Sequence, residues 1–385
     1  MNVFLKSRRN QIHRHNNLSR LRHCTPNSPP KEISSTTNTY NNMDEPEPER
    51  KVNGMKSIFE EEIKKIQDEI DIFKSGSPNH IAIISEPYSR VEHIYNRILG
   101  DNSQKINNIQ IFNPVKDTDF FSNFYSNQDI IMMQNCQYLF SRKCCGFAIL
   151  EEFLDILFSS NKMYITGWNK FAWNYLKEIS NIESMFQEII TVPELNSKTI
   201  MNLIMSDVSD KVTFIDDRVS EDKKFICFEE CLIRMPLSNK EVNISEIKFN
   251  FNALKRKKNN KTMEDIQKEA FMDITTLAGG KYDVARKIWK KSLKDGEVRL
   301  SRIPQPSEVE ISDIDELFIL GNILAMDGID FDELSSIVKN DSLLKQKLYN
   351  LVNKGLIEDS DRFYKIYPEA VNSVIDELEK NRMVW

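Results

Sequence analysis

Short apolar runs separated by helical patterns dominate the middle of this chain. The runs are His80–Ile84, Ile109–Phe112, Ile130–Met133, Met163–Thr166 and Glu188–Val192. Helical patterns lie between them at Val91–Leu99, Phe147–Phe158 and Ala172–Ile179. Strands that alternate with helices of about 10–15 residues form βαβ units, and runs that are apolar on both faces belong inside a parallel sheet. The pattern therefore predicts an α/β domain built on a parallel sheet.

The length and the composition of the flanking segments predict further units. The chain has 385 residues, more than one average domain. We predict a polar, basic tail (1–54), an α/β domain (55–262) with an insertion (211–261), a helical lid (263–300) that is broken at Gly279-Gly280, a linker (301–310) and a second domain (311–385). In the last segment, three helical patterns precede a two-stranded hairpin, which is the order of an α+β winged-helix domain.

The tail is rich in Asn, Ser, Thr, Pro and Arg, a composition that does not bury enough apolar surface to fold. Its first 22 residues carry six Lys and Arg side chains and no acid. A nucleic-acid arm or a transit peptide would use this charge. We favour a solvated tail, or an upstream extension of a gene that starts at Met43 or Met55. No apolar run approaches the ~18 residues of a membrane span, so we expect a cytoplasmic protein without membrane contact.

The cysteines do not have the spacing of a zinc or redox motif. Cys144 and Cys145 are adjacent, and Cys227 is separated from Cys231 by three residues, whereas such motifs favour a two-residue spacer. We interpret the six cysteines as buried or incidental thiols of a reducing compartment. The sequence therefore predicts no metal site.

The loop that follows the first apolar run has the place and the length of a phosphate-binding loop. Ligands of parallel sheets bind beyond the carboxyl ends of the strands. A working P-loop needs glycines to wrap phosphate, a Lys for its charge and a Ser or Thr for Mg²⁺. In the best register, Arg90, Val91 and Glu92 stand at the second glycine, the Lys and the hydroxyl positions. The sequence thus predicts a P-loop-NTPase-like parallel sheet with an eroded phosphate loop, although a helix N-terminus and Arg90 could still attract an anion.

Polar residues also follow the third and fourth runs. Gln134 and Asn135 occupy the place of the acid that would hold Mg²⁺. Asn169 stands where related ATPases sense the γ-phosphate, but it is equally suited to cap the next helix. The candidate cofactor-binding residues are Ser85, Glu86, Pro87, Tyr88, Ser89, Arg90, Gln134, Asn135 and Asn169. ATP is the cofactor that this set would bind, and we predict neither catalytic residues nor hydrolysis.

The third helical pattern of the last segment is mildly basic. Its candidate nucleic-acid-binding residues are Ser342, Lys345, Lys347, Asn350 and Lys354. The preceding helices are acidic between Asp313 and Glu333, which opposes docking on phosphates. Both DNA and a protein therefore remain open as partners of the winged helix.

From about residue 78 to its end, the chain resembles archaeal AAA/STAND-like ATP-binding proteins that carry a C-terminal winged helix. The matching segments are Ile83–Tyr88, Asn135–Phe147, Thr166–Asn169, Ala172–Leu176, Leu277–Gly280, Ala285–Trp289 and Arg382–Trp385. Two positions depart from the pattern of that group. Gln134 replaces its usual Asp, and Lys281-Tyr282-Asp283 follows Gly279-Gly280 in place of Asn-Pro-Gly.

The resemblance implies a nucleotide-responsive switch or regulator, in which a ligand at the strand tips moves the lid and the winged helix. Arg286 and Arg142 would be its candidate nucleotide sensors. The alternative is a pseudo-ATPase that serves as a DNA- or protein-binding scaffold and has no nucleotide ligand.

Overall fold

The computed structural model describes residues 58–76, 79–102, 105–124, 127–208, 211–218, 226–234, 241–249, 261–304 and 309–384. The tail predicted at 1–54 lies outside these residues. Within them, every helix is too short or too polar to cross a membrane.

Five parallel strands form the central sheet in the order β2-β3-β4-β1-β5. They are β1 (His80–Ser85), β2 (Ile106–Gln110), β3 (Ile130–Gln134), β4 (Met163–Asn169) and β5 (Glu188–Thr191). β1, β3 and β4 are buried along almost their whole length, because helices cover both faces of the sheet. The predicted α/β class with a parallel sheet is confirmed.

β2 begins earlier than predicted, at Ile106 rather than at Ile109. Ile106 is the one fully buried residue of β2, and Asn108 and Gln110 are exposed, because this strand lies at the edge of the sheet. A continuous apolar run is therefore a poor guide to its position. Chain pairing continues past its end, where Ile111 N–H donates to Gln134 O.

The helices of the α/β domain follow from amphipathic patterns. They are α1 (Glu60–Lys74), α2 (Glu92–Asn102), α3 (Ala148–Ser159), α4 (Lys170–Ser180) and α5 (Ser197–Ser206). Short 3₁₀ turns lie at Thr118–Phe124, Cys136–Leu139 and Ile182–Met185. α1 buries Ile63, Ile66 and Ile70, which recur once per helical turn.

The described residues of the segment predicted as an insertion form three strands. β6 (Thr213–Ile215) is followed by β7 (Ile226–Arg234) and β8 (Glu241–Phe249), which form a separate antiparallel pair. β6 instead pairs with β10 (Glu297–Arg299), which also pairs with β9 (Leu293–Lys294).

The segment predicted as a helical lid, called the lid below, contains α6 (Met263–Ala278) and α7 (Tyr282–Ser292). Thr262 begins α6 with a capping box, in which its side chain and that of Asp265 bond each other's backbone N–H. Gly279 and Gly280 end it with φ values of 54° and 68°, which glycine adopts without a Cβ penalty. The break predicted between the lid helices is thus a glycine C-cap.

The described residues of the C-terminal unit (309–384) form four α-helices, a short 3₁₀ turn (Pro368–Ala370) and three short strands. In chain order the α-helices and strands are α8 (Ile314–Met326), β11 (Ile329–Asp330), α9 (Phe331–Val338), α10 (Asp341–Asn353), β12 (Ile357–Ser360), β13 (Phe363–Ile366) and α11 (Val371–Lys380). The strands form one antiparallel sheet in the order β11-β13-β12. Asp313, Asp330 and Asn340 cap the first three helices through their side chains. α8 is the central element, since it is buried on nearly all sides.

Candidate functional site

A crevice lies at the carboxyl ends of β1 and β4. The connection from β1 leads to one edge of the sheet, and the connection from β4 leads to the opposite edge, beyond β1. Ligands of open parallel sheets bind where two connections diverge in this way. The crevice is lined by the loop from Ser85 to Glu92, by Tyr95, Asn135 and Gln137, by Gly167–Asn169 and by Asp327 of the C-terminal unit.

The structure brings together most of the predicted cofactor-binding residues. Eight of the nine line this crevice: Ser85, Glu86, Pro87, Tyr88, Ser89, Arg90, Asn135 and Asn169. Gln134 is apart from them, because its side-chain N–H donates to Asn108 Oδ1 of the neighbouring strand at 2.9 Å. The candidate sensors Arg142 and Arg286 are not among the lining residues.

The crevice is small. Its volume is about 50 Å³, whereas pockets for small molecules have about 300–1,000 Å³. Space of this size holds a few water molecules. Among the described residues, no cluster of three or more His, Cys, Asp or Glu side chains is placed to hold a metal ion.

The loop after β1 has the backbone shape of a glycine-containing loop without its glycines. Tyr88 and Arg90 have φ values of 65° and 62°, a left-handed conformation that costs an L-residue roughly 1–2 kcal/mol. The Arg90 side chain is held by the lid, where its Nε lies 3.1 Å from Asp283 Oδ1 and its guanidinium stacks over the Tyr282 ring. The contact with the lid offsets the cost of this conformation.

Glu86 connects the loop to two other elements. Its carboxylate accepts from Lys170 Nζ of α4 at 2.5 Å and from Lys281 Nζ of the lid at 2.9 Å. The side chain of Lys281 is only 5% exposed and also donates to Asn372 of the C-terminal unit. Burial alone would raise the pKa of Glu86, but the two ammonium groups outweigh it and hold that pKa below its usual value.

Asn169 acts as the N-cap of α4. Its Oδ1 accepts from the backbone N–H groups of Phe171 and Ala172 at 2.9 and 3.5 Å. Its Nδ2 donates to Leu324 O of α8 at 2.8 Å, so both ends of the amide have a protein partner. Asn135 is similarly engaged, with Nδ2 donating to Ile111 O at 3.0 Å.

Residues of the C-terminal unit contact the loop and line one side of the crevice. Tyr88 O–H donates to Ile366 O at 2.7 Å, and Lys365 Nζ lies 5.0 Å from the centre of the Tyr88 ring. Asp327 pairs with Lys365 at 3.4 Å, although burial raises the pKa of Asp327 against the attraction of this lysine. A triphosphate at this position would meet the carboxylates of Glu86, Glu92 and Asp327.

Sequence reasoning missed the partners that the fold brings to the loop. They are Lys170, Lys281, Asp283, Asp327 and Lys365. The sequence did give an indication for Lys281 and Asp283, since both stand where the lid departs from the pattern of the resembling family. The others are ordinary charged residues in sequence, and only the fold places them beside the crevice.

The predicted nucleic-acid-binding residues lie on α10, but three of the five contact the N-terminal end of α8. Lys347 pairs with Asp313, while Lys354 Nζ and Asn350 Nδ2 donate to Glu316 at 2.6 and 3.4 Å. The hydrogen bond between Asp313 and Lys347 lowers the pKa of the carboxyl and raises that of the amine. Ser342 and Lys345 are exposed, and Lys345 Nζ lies 5.6 Å from the centre of the Phe331 ring.

Neither a protein-family model nor a curated protein sequence matches this chain. Solved structures do resemble it. The RuvB Holliday junction branch migration motor of Thermotoga maritima is 12% identical over 83% of this chain and 95% of that one, with a TM-score of 0.38. The Orc2 protein of Aeropyrum pernix, in ADPNP–ADP complexes, is 10% identical over 84% and 94%, with a TM-score of 0.33.

Cdc6p of Pyrobaculum aerophilum is 11% identical to this chain over 84% of it and 94% of that protein, with a TM-score of 0.34. All three TM-scores are below 0.5, so we derive neither family membership nor activity from these similarities.

Proposed function

We propose that this chain is a pseudo-ATPase of the AAA type, a cytoplasmic regulator that acts through a C-terminal winged helix and does not hydrolyse ATP. The observation that carries the proposal is the bridge from Glu86 to Lys170 and Lys281. In this proposal the strand tips of a P-loop-NTPase-like sheet bind the protein's own lid and C-terminal unit, not a nucleotide.

Electrostatics support the absence of hydrolysis. A phosphoryl-transfer site needs positive charge aimed at the γ-phosphate and a carboxylate that holds Mg²⁺. Val91 and Gln134 stand at those two positions and carry no charge. Glu86 accepts a hydrogen bond from each of Lys170 and Lys281, so both ammonium groups are already engaged within the protein. A nucleotide would have to break these ion pairs and then lie beside the freed carboxylate.

Contacts of the loop support a scaffold role. Arg90 and Glu86 bind the lid, and Tyr88 binds the C-terminal unit. The degenerate loop therefore connects the α/β domain with the lid and with the C-terminal unit. Its polar residues thus have a structural role.

The C-terminal unit is best interpreted as a winged helix, with α10 as its recognition helix and β12–β13 as the wing. Its charges favour a protein partner over DNA, because Lys347 and Lys354 already pair with acidic residues of α8. Ile314 and Tyr349 are 69% and 68% exposed on α8 and α10. Exposed apolar side chains of this kind are more useful at a protein interface than on a phosphate backbone.

Thermal unfolding in the presence of ATP or ADP, with and without Mg²⁺, tests the first part of the proposal. We expect no saturable increase in Tm, since a ligand that binds the folded state stabilises it by mass action. A chain carrying Arg90→Gly, Val91→Lys and Glu92→Thr is the matched control, because these changes restore the phosphate-loop residues. Saturable stabilisation of the unchanged protein by ATP would contradict the proposal and support the nucleotide-responsive switch.

Retention on duplex DNA at low salt tests the second part. We expect none, because few lysines of α10 are available for counterion release. Lys345→Ala removes an exposed charge and Lys347→Ala a paired one, so the two variants form a matched set. DNA affinity that falls with salt and is weakened by both substitutions would contradict a protein partner.

A further inference from the structure

A rigid loop over residues 141–146 joins the 3₁₀ turn after β3 to α3. Ser141 N–H donates to Gly146 O at 2.9 Å and closes the loop. Gly146 is required there, because a Cβ would lie 2.3 Å from Ser141 O. Phe140 and Phe147, the residues that flank the loop, pack with ring centres 5.6 Å apart. Both ends of the loop are thereby held in place.

The side chains before the tip are anchored as well. The Arg142 guanidinium stacks 4.0 Å from the centre of the Tyr175 ring. Lys143 Nζ donates to both carboxylate oxygens of Glu333 on α9, at 2.9 and 3.0 Å. These contacts leave Cys144 and Cys145 as the tip of a well-anchored loop.

Both tip cysteines are exposed, although cysteine is among the residue types most often buried. They are present as two thiols whose sulfur atoms lie 3.7 Å apart. The described residues also include Cys136, which is 0% exposed, and burial raises the pKa of its thiol. Of these three cysteines, the two at the tip therefore present their thiols to solvent.

The separation of the two sulfurs matches a chelate better than a disulfide. A disulfide holds its sulfurs about 2.05 Å apart and its Cα atoms about 4.4–6.8 Å apart. Adjacent residues joined by a trans peptide have Cα atoms only about 3.8 Å apart, so a bond between Cys144 and Cys145 would be strained. One bridging atom with bonds of about 2.3 Å to sulfur and tetrahedral angles separates two thiolates by about 3.8 Å, close to the observed 3.7 Å.

We propose that Cys144 and Cys145 form a chelating dithiol site for a single soft, thiophilic atom, such as trivalent arsenic or a thiophilic divalent metal. With an organic arsenic(III) oxide, two S–As bonds form, the As–O bond breaks, and both thiol protons leave with the oxygen as water. Arsenic remains trivalent, so the step needs no oxidant or reductant. A divalent metal would instead displace the two protons into solvent. This site is independent of the nucleotide crevice and of the proposed pseudo-ATPase role.

Phenylarsine oxide and Zn²⁺ are the probes, used in separate arms on the full chain carrying Cys24→Ser, Cys227→Ser and Cys231→Ser. We expect mass spectrometry to show one arsenical per chain on the peptide that contains residues 144 and 145. The adduct should resist excess 2-mercaptoethanol and be removed by 2,3-dimercaptopropanol, because two linked thiols compete far better than one. Zn²⁺ affinity is measured by competition with a chromophoric chelator.

The single substitutions Cys144→Ser and Cys145→Ser are the matched variants. Each should weaken binding by roughly 100-fold or more, which is the gain typical of a second linked contact. Binding in either arm that requires both thiols supports the proposal, and the responding arm identifies metalloid or metal. Absence of binding in both arms, or equal binding by the single-cysteine variants, would overturn it. Circular dichroism of each variant establishes that the fold is retained.

Discussion

The carboxylate of Glu86 contacts two ammonium groups that come from different parts of the chain. Lys170 follows β4, and Lys281 lies in the lid. Removing one partner of a buried ion pair is costly, because the other charge is left without compensation. Glu86 therefore lines the candidate site and at the same time contributes to the stability of the fold.

The substitution Glu86→Gln should destabilise the protein by about 3 kcal/mol, since it leaves the nearly buried Lys281 without a carboxylate. Chemical denaturation measures this free energy of unfolding. Glu178→Gln is the control, because Glu178 is an exposed carboxylate on α4, and its loss should change stability by less than about 0.5 kcal/mol. Equal effects of the two substitutions would show that the bridge contributes nothing.

His80 gives the fold a predictable sensitivity to acid. Its Nδ1 accepts from Tyr164 N–H and its Nε2 donates to Leu157 O, so the buried ring is neutral. Burial lowers the pKa of His80 below its ordinary value of 6.5, although the bond to Leu157 opposes this shift. As pH falls below about 6.5, the unfolded chain binds a proton before the folded protein does. The neutral His80 ring therefore makes its full contribution to the free energy of unfolding above about pH 6.5. This contribution is lost as the pH falls below that value.

Stability should consequently decline between pH 7 and pH 5, by at most about 1.4 kcal/mol per pH unit from this group. Denaturation midpoints across that range measure the decline. His80→Gln should remove this component even if it lowers stability at pH 7. A pH profile that is identical in wild type and His80→Gln would contradict the assignment.

At the scale of elements, local sequence signals place the beginnings of several helices. Thr262, Asp313, Asp330 and Asn340 cap helices through their own side chains. Such contacts involve residues within one turn, and a sequence pattern therefore reports them. The effect of a glycine at a helix end is different, since it depends on what lies next to it in space.

Gly280 and Gly355 test this difference as a matched pair. Both have left-handed backbones, with φ values of 68° and 69°. A Cβ at Gly280 would lie 2.6 Å from Glu194 Cβ, whereas a Cβ at Gly355 would meet nothing within 4 Å. We expect Gly355→Ala to cost about 1 kcal/mol from backbone strain alone. Gly280→Ala should cost about 3 kcal/mol, because crowding adds to strain. Thermal denaturation of both variants measures the difference, and equal losses would contradict the crowding.

At the scale of the whole molecule, the carboxyl edge of the central sheet supports the C-terminal unit. Tyr88 reaches β13, Asn169 reaches α8, and Lys143 reaches α9. The partners in these contacts are separated by between 155 and 278 residues along the chain. The strand tips therefore determine where the proposed winged helix sits.

Replacing Tyr88 by Phe should loosen this attachment. The change removes the hydrogen bond to Ile366 O at the end of β13, with an expected cost of about 1 kcal/mol. Hydrogen–deuterium exchange of α8 and β13 amides should accelerate about fivefold, while exchange in β3 is unchanged. Tyr349→Phe is the control, since Tyr349 is 68% exposed and should have no effect. Unchanged exchange in α8 and β13 of Tyr88→Phe would show that the contact does not hold the unit.

The sequence by itself determined the parallel sheet, the strands β1, β3 and β4 to within a few residues, and the glycine break in the lid. These features depend on apolar periodicity and on conformational preferences that act over a few residues. The sequence also predicted nine cofactor-binding residues, and eight of them line one crevice. They do so because the carboxyl ends of parallel strands lie at the same edge of the sheet.

Only the tertiary structure decided what those residues contact. Lys281 and Asp283 come to the loop from almost 200 positions away, and Asp327 from farther still. Ion pairs of this kind have no sequence pattern, because any exposed charge could form them until the fold places one beside another. The same reason explains why the lysines of α10 looked available to DNA in sequence, whereas in the folded protein Lys347 and Lys354 face the carboxylates of α8.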